Sequence, residues 1–173
     1  RVGQGGKHFD LYKFATMLKD SPNQGTGTVT VMNDPRVLPF GRILRKAKIN
    51  ELPQLLNVFL GDMSIVGPRP QDQRCFDAFP VNSQIMINRV RPGLSGIGSI
   101  IFRDEEKMMH GRKNPEEFYD NVIMPYKGKL EEWYVANSSL VTYLSCIWLT
   151  VWILFFPKSS LAWRLFRELP APP

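Results

Sequence analysis

Asn50 and Glu51 stand together at the entrance to an apolar stretch, and Arg69 follows it, locked between Pro68 and Pro70. A second arginine, Arg91, precedes Pro92-Gly93, and a basic group of Arg42, Arg45 and Lys46 lies just upstream. These residue types suit phosphate chemistry. A helix N-terminus presents unpaired N–H groups and partial positive charge, which attract phosphate. Arginine forks clasp phosphate oxygens in pairs. A carboxylate beside them can hold Mg2+, which bridges the two phosphates of a diphosphate. The set reads as a diphosphate site. Each part also has a plain structural reading. Asn50 can be a helix cap, Glu51 a partner of the helix dipole and Arg69 a surface residue of a turn; the basic group can be a solvated or membrane-facing helix face. His8, Glu105, Glu106 and His110 have no motif partner and are expected at the surface.

Several elements must position these groups. Leu52, Leu55, Leu56 and Phe59 follow the spacing of an amphipathic helix, with Asn50 as N-cap, Pro53 in its first turn and Gly61 as its stop. Residues 63–70 read as a short buried strand running into the rigid Gly67-Pro68-Arg69-Pro70 turn. Residues 87–102 repeat that device around Arg91-Pro92-Gly93. Upstream, residues 38–49 read as a helix with Phe40, Ile43 and Leu44 toward the core and Arg42, Arg45 and Lys46 opposite. Phe9, Leu11 and Phe14 suggest a strand, and residues 28–32 another short one. Residues 102–139 read as helical, with Asn114 capping a turn that begins Pro115-Glu116-Glu117. The fold class is α+β, mostly helical with a few short strands and no large sheet: a compact membrane-surface domain with amphipathic helices.

The 173 residues, 43% hydrophobic and 22% charged, suit one globular domain spanning 1–173 rather than a disordered chain. The net charge of +6 favours anionic partners, and Arg36, Arg42, Arg45, Lys46 and Lys48 concentrate it in a stretch with no acid. No motif for nucleic acid accompanies the charge, so none is expected as a partner. Cys75 and Cys146 lie far apart without metal spacing, as in a reducing compartment. Residues 140–156 carry no charge. They admit three readings: a short transmembrane span, an interfacial helix or a core helix. Their length falls short of a span, and Trp148 and Trp152, four apart on one helix face, favour the interface. Leu161, Trp163, Leu165 and Phe166 around Arg164 and Arg167 continue that reading, so 140–173 is expected to form interfacial helices.

The segment GRILRKAKINELPQLLNVFLGDMSIVGPRP, followed at a distance by RPGLSGIGSI, resembles the bacterial sugar transferases. These are monotopic phosphoglycosyl transferases that begin glycan assembly on a polyprenol phosphate. The likeness runs from Arg1 through YKFATM to WYVANSS and covers nearly the whole chain. It implies transfer of a phospho-sugar from a UDP-sugar to a polyprenol phosphate such as undecaprenyl phosphate, with release of UMP and a need for Mg2+. The expected setting is the cytoplasmic face of the bacterial inner membrane, in exopolysaccharide or other glycan assembly. The family's Asp-Glu pair falls on Asn50-Glu51, its Asp attacking phosphorus and its Glu holding Mg2+. Arg45 and Arg69 would contact phosphate, with Arg91 and Lys13 as further candidates.

Three departures accompany the likeness. Asn50 replaces the nucleophilic Asp, and an amide is a poor nucleophile. Either Glu51 takes over the attack, or this branch uses the pair differently, or Asn50 is an engineered near-isostere. Otherwise the chain is an inactive relative that binds nucleotide sugar or scaffolds glycan enzymes. Arg1 falls just after the family's N-terminal re-entrant membrane helix. Tyr143 stands where the family carries an acid.

Overall fold

Short helices dominate the chain and leave room for one small sheet. The computed structural model describes all residues except 26–29, Met32, Lys48, Asp104, 110–112 and Pro173, and all their side chains except those of Glu106 and Lys107. In chain order come α1 (Pro39–Lys46), a 3-10 turn (Ile49–Glu51), α2 (Gln54–Leu60), β1 (Ser64–Val66), α3 (Gln73–Asp77) and α4 (Val81–Ile87). Then follow β2 (Gly93–Ser95), α5 (Ile97–Ile101), α6 (Glu105–Met109), α7 (Pro115–Phe118), a π turn (Tyr119–Ile123), α8 (Met124–Ala136), α9 (Leu140–Phe155) and α10 (Leu161–Leu165). The mostly helical α+β class read from the sequence is the one observed.

β1 and β2 pair in parallel, Ser64 opposite Gly93 and Val66 opposite Ser95. Parallel strands need a crossover, which α3 and α4 supply. The two Gly-Pro-type turns therefore lie side by side. Gly67 and Gly93 touch backbone to backbone, since a Cβ on Gly93 would come within 2.1 Å of the Gly67 nitrogen. α8 packs against α4 and α5, and α9 packs against both strands and α5. Met63, Ile97, Met124, Leu130, Cys146 and Leu149 are fully buried between them. Burial of such side chains stabilises by roughly 1.5–3 kcal/mol each.

The hydrophobic faces of α1 and α2 are turned outward. Phe40 is 68% exposed and Ile43 64%, and Leu44 is half-buried, so the expected core face of α1 is corrected. α1 approaches its neighbour through Gly41 instead, where a Cβ would meet the Thr16 carbonyl oxygen at 2.2 Å. In α2, Leu55, Leu56 and Phe59 are exposed while Gln54 and Asn57 are buried. Asn57 explains the inversion: its Oδ1 accepts from the Tyr12 N–H at 3.0 Å and its Nδ2 donates to the Asp10 carbonyl at 2.7 Å. A buried amide with both ends satisfied can anchor a helix as apolar contacts do. Gly61 ends α2 in the left-handed region, at φ 89°, as its type requires.

Other expectations change. Phe9, Leu11 and Phe14 lie in an extended segment and not in a strand, because its amides bond to single partners such as Asn57 and Asn50. The strand expected at 28–32 falls largely on residues outside those described. Asn50 is not the cap of α2; it sits in the 3-10 turn, and Pro53 precedes the helix. Arg36 leaves the basic patch, being buried in an ion pair with Asp34 at 2.6 Å. Glu105 is not a surface acid either, since it pairs with buried Lys127 at 2.6 Å. His8 is at the surface as expected, and Glu106 and His110 lie outside the described side chains.

Among the described residues no helix is long and apolar enough to cross a membrane. α9 combines the two remaining readings for 140–156. Thr142, Cys146 and Leu149 face the core, whereas Leu140, Val141, Leu144, Trp148 and Val151 are exposed. Ser139 caps it, accepting from the Thr142 N–H at 3.1 Å. α10 departs from a lipid-lying helix: Ala162 is buried, Trp163 packs on the core and Phe166 meets Trp133 with ring centres 5.1 Å apart.

Candidate active site

The 3-10 turn places Glu51 beside the proline-bracketed arginine. Pro68 and Pro70 fix the backbone on both sides of Arg69, and the preceding residue is held by the Gly93 N–H, which donates to the Pro68 carbonyl at 2.8 Å. The Arg69 guanidinium donates to Glu51 through Nη2 at 2.5 Å and Nη1 at 3.3 Å. The carboxylate is 22% exposed and the guanidinium 41%, so the pair is open to solvent on one side.

Lys13 joins the same field. Its ammonium is pulled below the usual lysine value, first by lost hydration and then by Arg1, Arg45 and Arg69, with Glu51 opposing. The segment carrying it is pinned at both neighbours: the Tyr12 N–H donates to Asn57, and the Phe14 N–H donates to the Asn50 carbonyl at 3.0 Å. Lys13, Arg45, Glu51 and Arg69 thus form one cluster in which three cations surround one carboxylate. Such a surplus attracts a multiply charged anion.

Asn50 contributes through its backbone, and the residue is 9% exposed at the floor of the turn. Arg91 is exposed at the entrance to β2, and its carbonyl lies close against Gly67. Its side chain makes no hydrogen bond or ion pair among the described residues, so Arg91 adjoins the cluster through its backbone alone. Tyr143, where an acid was expected by resemblance, has its hydroxyl 3.2 Å from Ser64 Oγ, at the foot of β1.

Two residues that hold this site escaped the sequence reading. Asn57 was hidden among the leucines of α2. Glu131 is buried in α8 near the Arg69 backbone, with Gly98 of α5 close against its carboxyl group. Lys127, Leu130, Glu131 and Tyr134 share one helix face and all are buried. Two opposite charges within an otherwise apolar stripe were the available signal.

The only carboxylate in the described cluster is Glu51, and no group of three or more His, Cys, Asp or Glu is placed to hold a metal among the described residues. That donor set fits Mg2+, which is commonly bound by one or two carboxylates together with waters and substrate phosphates.

Around the cluster spreads an apolar surface. Tyr12, Phe14, Phe40, Ile43, Leu56 and Phe59 are all exposed, the last by 87%. Singly such residues need no explanation, but two neighbouring helices turned outward make a patch that solvent alone does not favour.

A family model described as bacterial sugar transferase matches residues 1–157. Among curated proteins the chain is 40% identical over 103 residues to the UDP-N-acetylgalactosamine-undecaprenyl-phosphate N-acetylgalactosaminephosphotransferase of Aeromonas hydrophila, covering 58% of this chain and 24% of that protein. It is 36% identical over 153 residues to the sugar transferase EpsL of Bacillus subtilis, covering 87% and 65%. To the undecaprenyl-phosphate galactose phosphotransferase of Salmonella typhimurium it is 32% identical over 159 residues, covering 81% and 29%. The chain spans less than two thirds of the length of each of these relatives. With the motifs, the cluster and the match over most of its length in agreement, the chain belongs to the bacterial sugar transferase family.

Proposed function

We propose that this chain transfers a sugar phosphate from a UDP-sugar to a polyprenol phosphate, releasing UMP and leaving a polyprenyl-diphosphate-sugar that starts glycan or exopolysaccharide assembly. The observation that carries this reading is the Glu51–Arg69 pair, set with Lys13 and Arg45 at the edge of an exposed apolar surface. A soluble diphosphate and a lipid-borne phosphate need such a border, cationic on one side and apolar on the other. The names of the relatives, which give undecaprenyl phosphate for two of those above, support the same acceptor.

The residues divide the work. Arg69, Arg45 and Lys13 bind and orient the diphosphate, and Arg91 lies near enough in the fold to be a further contact. Glu51 is the residue that would hold Mg2+, which when bound supplies charge neutralisation to the phosphates. The apolar faces of α1, α2 and α9 rest on the membrane surface, on its cytoplasmic side, and bring the acceptor phosphate to the cluster. Asn50 is no nucleophile at neutral pH. The attack on phosphorus therefore falls to Glu51, giving a covalent phospho-sugar enzyme, or to the acceptor phosphate directly.

A second reading rests on Asn50 itself: a relative that binds nucleotide sugar without turning it over, or scaffolds glycan enzymes. UMP release from a panel of UDP-sugars, with undecaprenyl phosphate in detergent and Mg2+, separates the two. The chain and its Asn50→Asp and Glu51→Gln variants are compared. Turnover by the chain as written, abolished by Glu51→Gln, is the expected result. Turnover only after Asn50→Asp would establish the silent relative, and none in any form beside an active relative would exclude the transferase reading. UMP released in one equivalent without acceptor would place the attack on the enzyme.

A further inference from the structure

α10 folds back on the end of α9 and leaves a gap between them. A cavity of about 150 Å³ opens there, walled by Ile100 and Ile101 of α5, Arg103 just after it, Ile153 of α9, and Ala162 and Trp163 of α10. None of these residues belongs to the Glu51–Arg69 cluster. Ser159 fixes the return of the chain: its Oγ accepts from the Trp152 indole N–H at 3.0 Å and from the Leu161 N–H at 3.3 Å.

One cation stands in a wall that is otherwise largely apolar. Arg103 donates through Nη1 to the Ile153 carbonyl, near the last turn of α9. A guanidinium carries five N–H donors, and that bond uses one of them. Arg103 has no carboxylate partner among the described residues. A cation suits the carbonyl end of a helix, but such a contact needs no space beside it, and protein interiors close over space they do not use. An arginine steadied by one bond, with donors left over at a cavity wall, is suited to an anion that offers several oxygens.

Water alone would fill such a space; the surround selects a lipid. Trp148, Trp152 and Phe156 stack along α9 with ring centres 5.4 and 4.3 Å apart, and they end beside Pro157, which also lines the cavity. Leu154, Phe155 and Phe156 are exposed. Aromatic rings on an apolar helix face favour the headgroup layer of a bilayer. Residues 157–167 add Lys158, Arg164 and Arg167, all exposed, and no acid. Basic residues beside such a face attract anionic lipid.

We propose that this cavity is a phospholipid site: Arg103 takes the phosphodiester of an anionic phospholipid, and the isoleucines, Ala162 and Trp163 receive its glycerol and the first methylenes of its chains. The site stands apart from the diphosphate cluster and does not depend on the reaction proposed there. A lipid held in it pins α9 to the bilayer at one point, which an apolar face alone does not do.

The test uses the full chain and dihexanoyl phosphatidylglycerol below its micelle concentration, followed through the Trp152 and Trp163 indole N–H signals by nuclear magnetic resonance. Saturable shifts of both are expected, with Overhauser contacts between lipid chain protons and the Ala162 methyl group. Dihexanoyl phosphatidylcholine and inorganic phosphate should each bind at least about tenfold more weakly. Arg103→Gln should weaken phosphatidylglycerol binding about tenfold or more, as the loss of a charge-assisted contact. Ala162→Leu, which fills the cavity and leaves every charge in place, should weaken it as much. Arg42→Gln, on α1, should bind as the unaltered chain does.

Unchanged binding by a folded Arg103→Gln or Ala162→Leu protein would overturn the proposal and assign the attraction to charge spread over the surface. Equal affinity for phosphatidylcholine or for inorganic phosphate would overturn it too, and silence at both indoles would leave the cavity to water. Should both variants fail to fold, the unaltered chain decides: no Overhauser contact to Ala162 at saturation overturns the site.

Discussion

Arg69 donates to both oxygens of Glu51, at 2.5 and 3.3 Å, so that a carboxylate from a 3-10 turn and a guanidinium from a proline-bracketed turn form one ion pair. Each holds the other at the surface where a diphosphate would arrive. The pair is half open to water, and exposed pairs of this kind contribute only about 0–1 kcal/mol to folding. Its value lies in placement.

Arg69→Ala should therefore separate stability from activity. The melting temperature is expected to fall by no more than about 4 °C. UMP release should fall about a hundredfold, the loss of a charge-assisted contact held in register. Arg42→Ala, on the exposed side of α1 outside the cluster, should leave turnover within about twofold of the unaltered chain. Equal losses of turnover in the two variants would remove Arg69 from the site.

Asn57 is the stability counterpart. Asn57→Ala strands the Tyr12 N–H and the Asp10 carbonyl in a position that is fully buried. A loss of about 2–4 kcal/mol is expected, measured by urea unfolding. Asn57→Asp keeps the acceptor for Tyr12 but loses the donor and sets a charge near Asp62, whose Oδ2 is 3.4 Å from the present Nδ2. It should destabilise at neutral pH and recover part of the loss on acidification. Indifference to both changes would show that residues 10–14 dock by other means.

These residues mark where the sequence could be read and where it could not. The Gly-Pro-Arg-Pro turn, the repeated turn at Arg91, the stop at Gly61 and the Asn114-Pro115 start of α7 were legible, because Pro and Gly act locally on the backbone. The direction of a helix face is not local. The spacing in α2 shows that Leu55, Leu56 and Phe59 share a side, and only tertiary contact shows that Asn57 faces the protein. Asn50 was taken for a cap because its type and place agree; the chain spends three residues in a 3-10 turn before α2 begins. Glu131 was passed over since carboxylates in helices are usually solvated, and it is buried partly by distant chain such as Gly98 of α5, outside any periodic signal.

The outward faces of α1 and α2 give a third prediction. Phe40→Ser and Phe59→Ser remove apolar area that is mostly open to solvent, so folding stability should change by less than about 0.5 kcal/mol. Cosedimentation with vesicles containing anionic lipid should weaken, by roughly tenfold for the double change, since each ring would otherwise leave water on binding. Unchanged partition would assign this surface to something other than lipid.

A fourth concerns pH. Burial pushes the Glu131 carboxyl group up to about 8 from the usual 4.5, against the pull of Lys127 and the Arg69 N–H. Below pH 4.5 folded and unfolded chains are both protonated there, and the group's relative contribution to stability is at its greatest. Between 4.5 and 8 the unfolded chain has released the proton and the folded one retains it, so stability declines as pH rises; above 8 the decline is complete. Glu131→Gln lacks that dependence. Its unfolding free energy relative to the unaltered chain should climb from pH 5 to about 8 and then level off, by an amount on the order of a few kcal/mol. A difference that stays flat across that range would mean that Glu131 is already ionised in the folded protein.

The parallel pairing of β1 with β2 also sets an order of assembly. The Gly67–Pro70 turn is synthesised before its supports, a strand that comes after two intervening helices and the Tyr134 hydroxyl of α8 that meets the end of β1. Contacts so distant along the chain must close large loops before they stabilise anything. At a synthesis rate of about 5–20 residues per second, the Arg69 turn should wait several seconds on the ribosome without its supports. The outward leucines and Phe59 of α2 emerge in that same interval, so the nascent chain could reach a lipid surface before its catalytic centre takes shape.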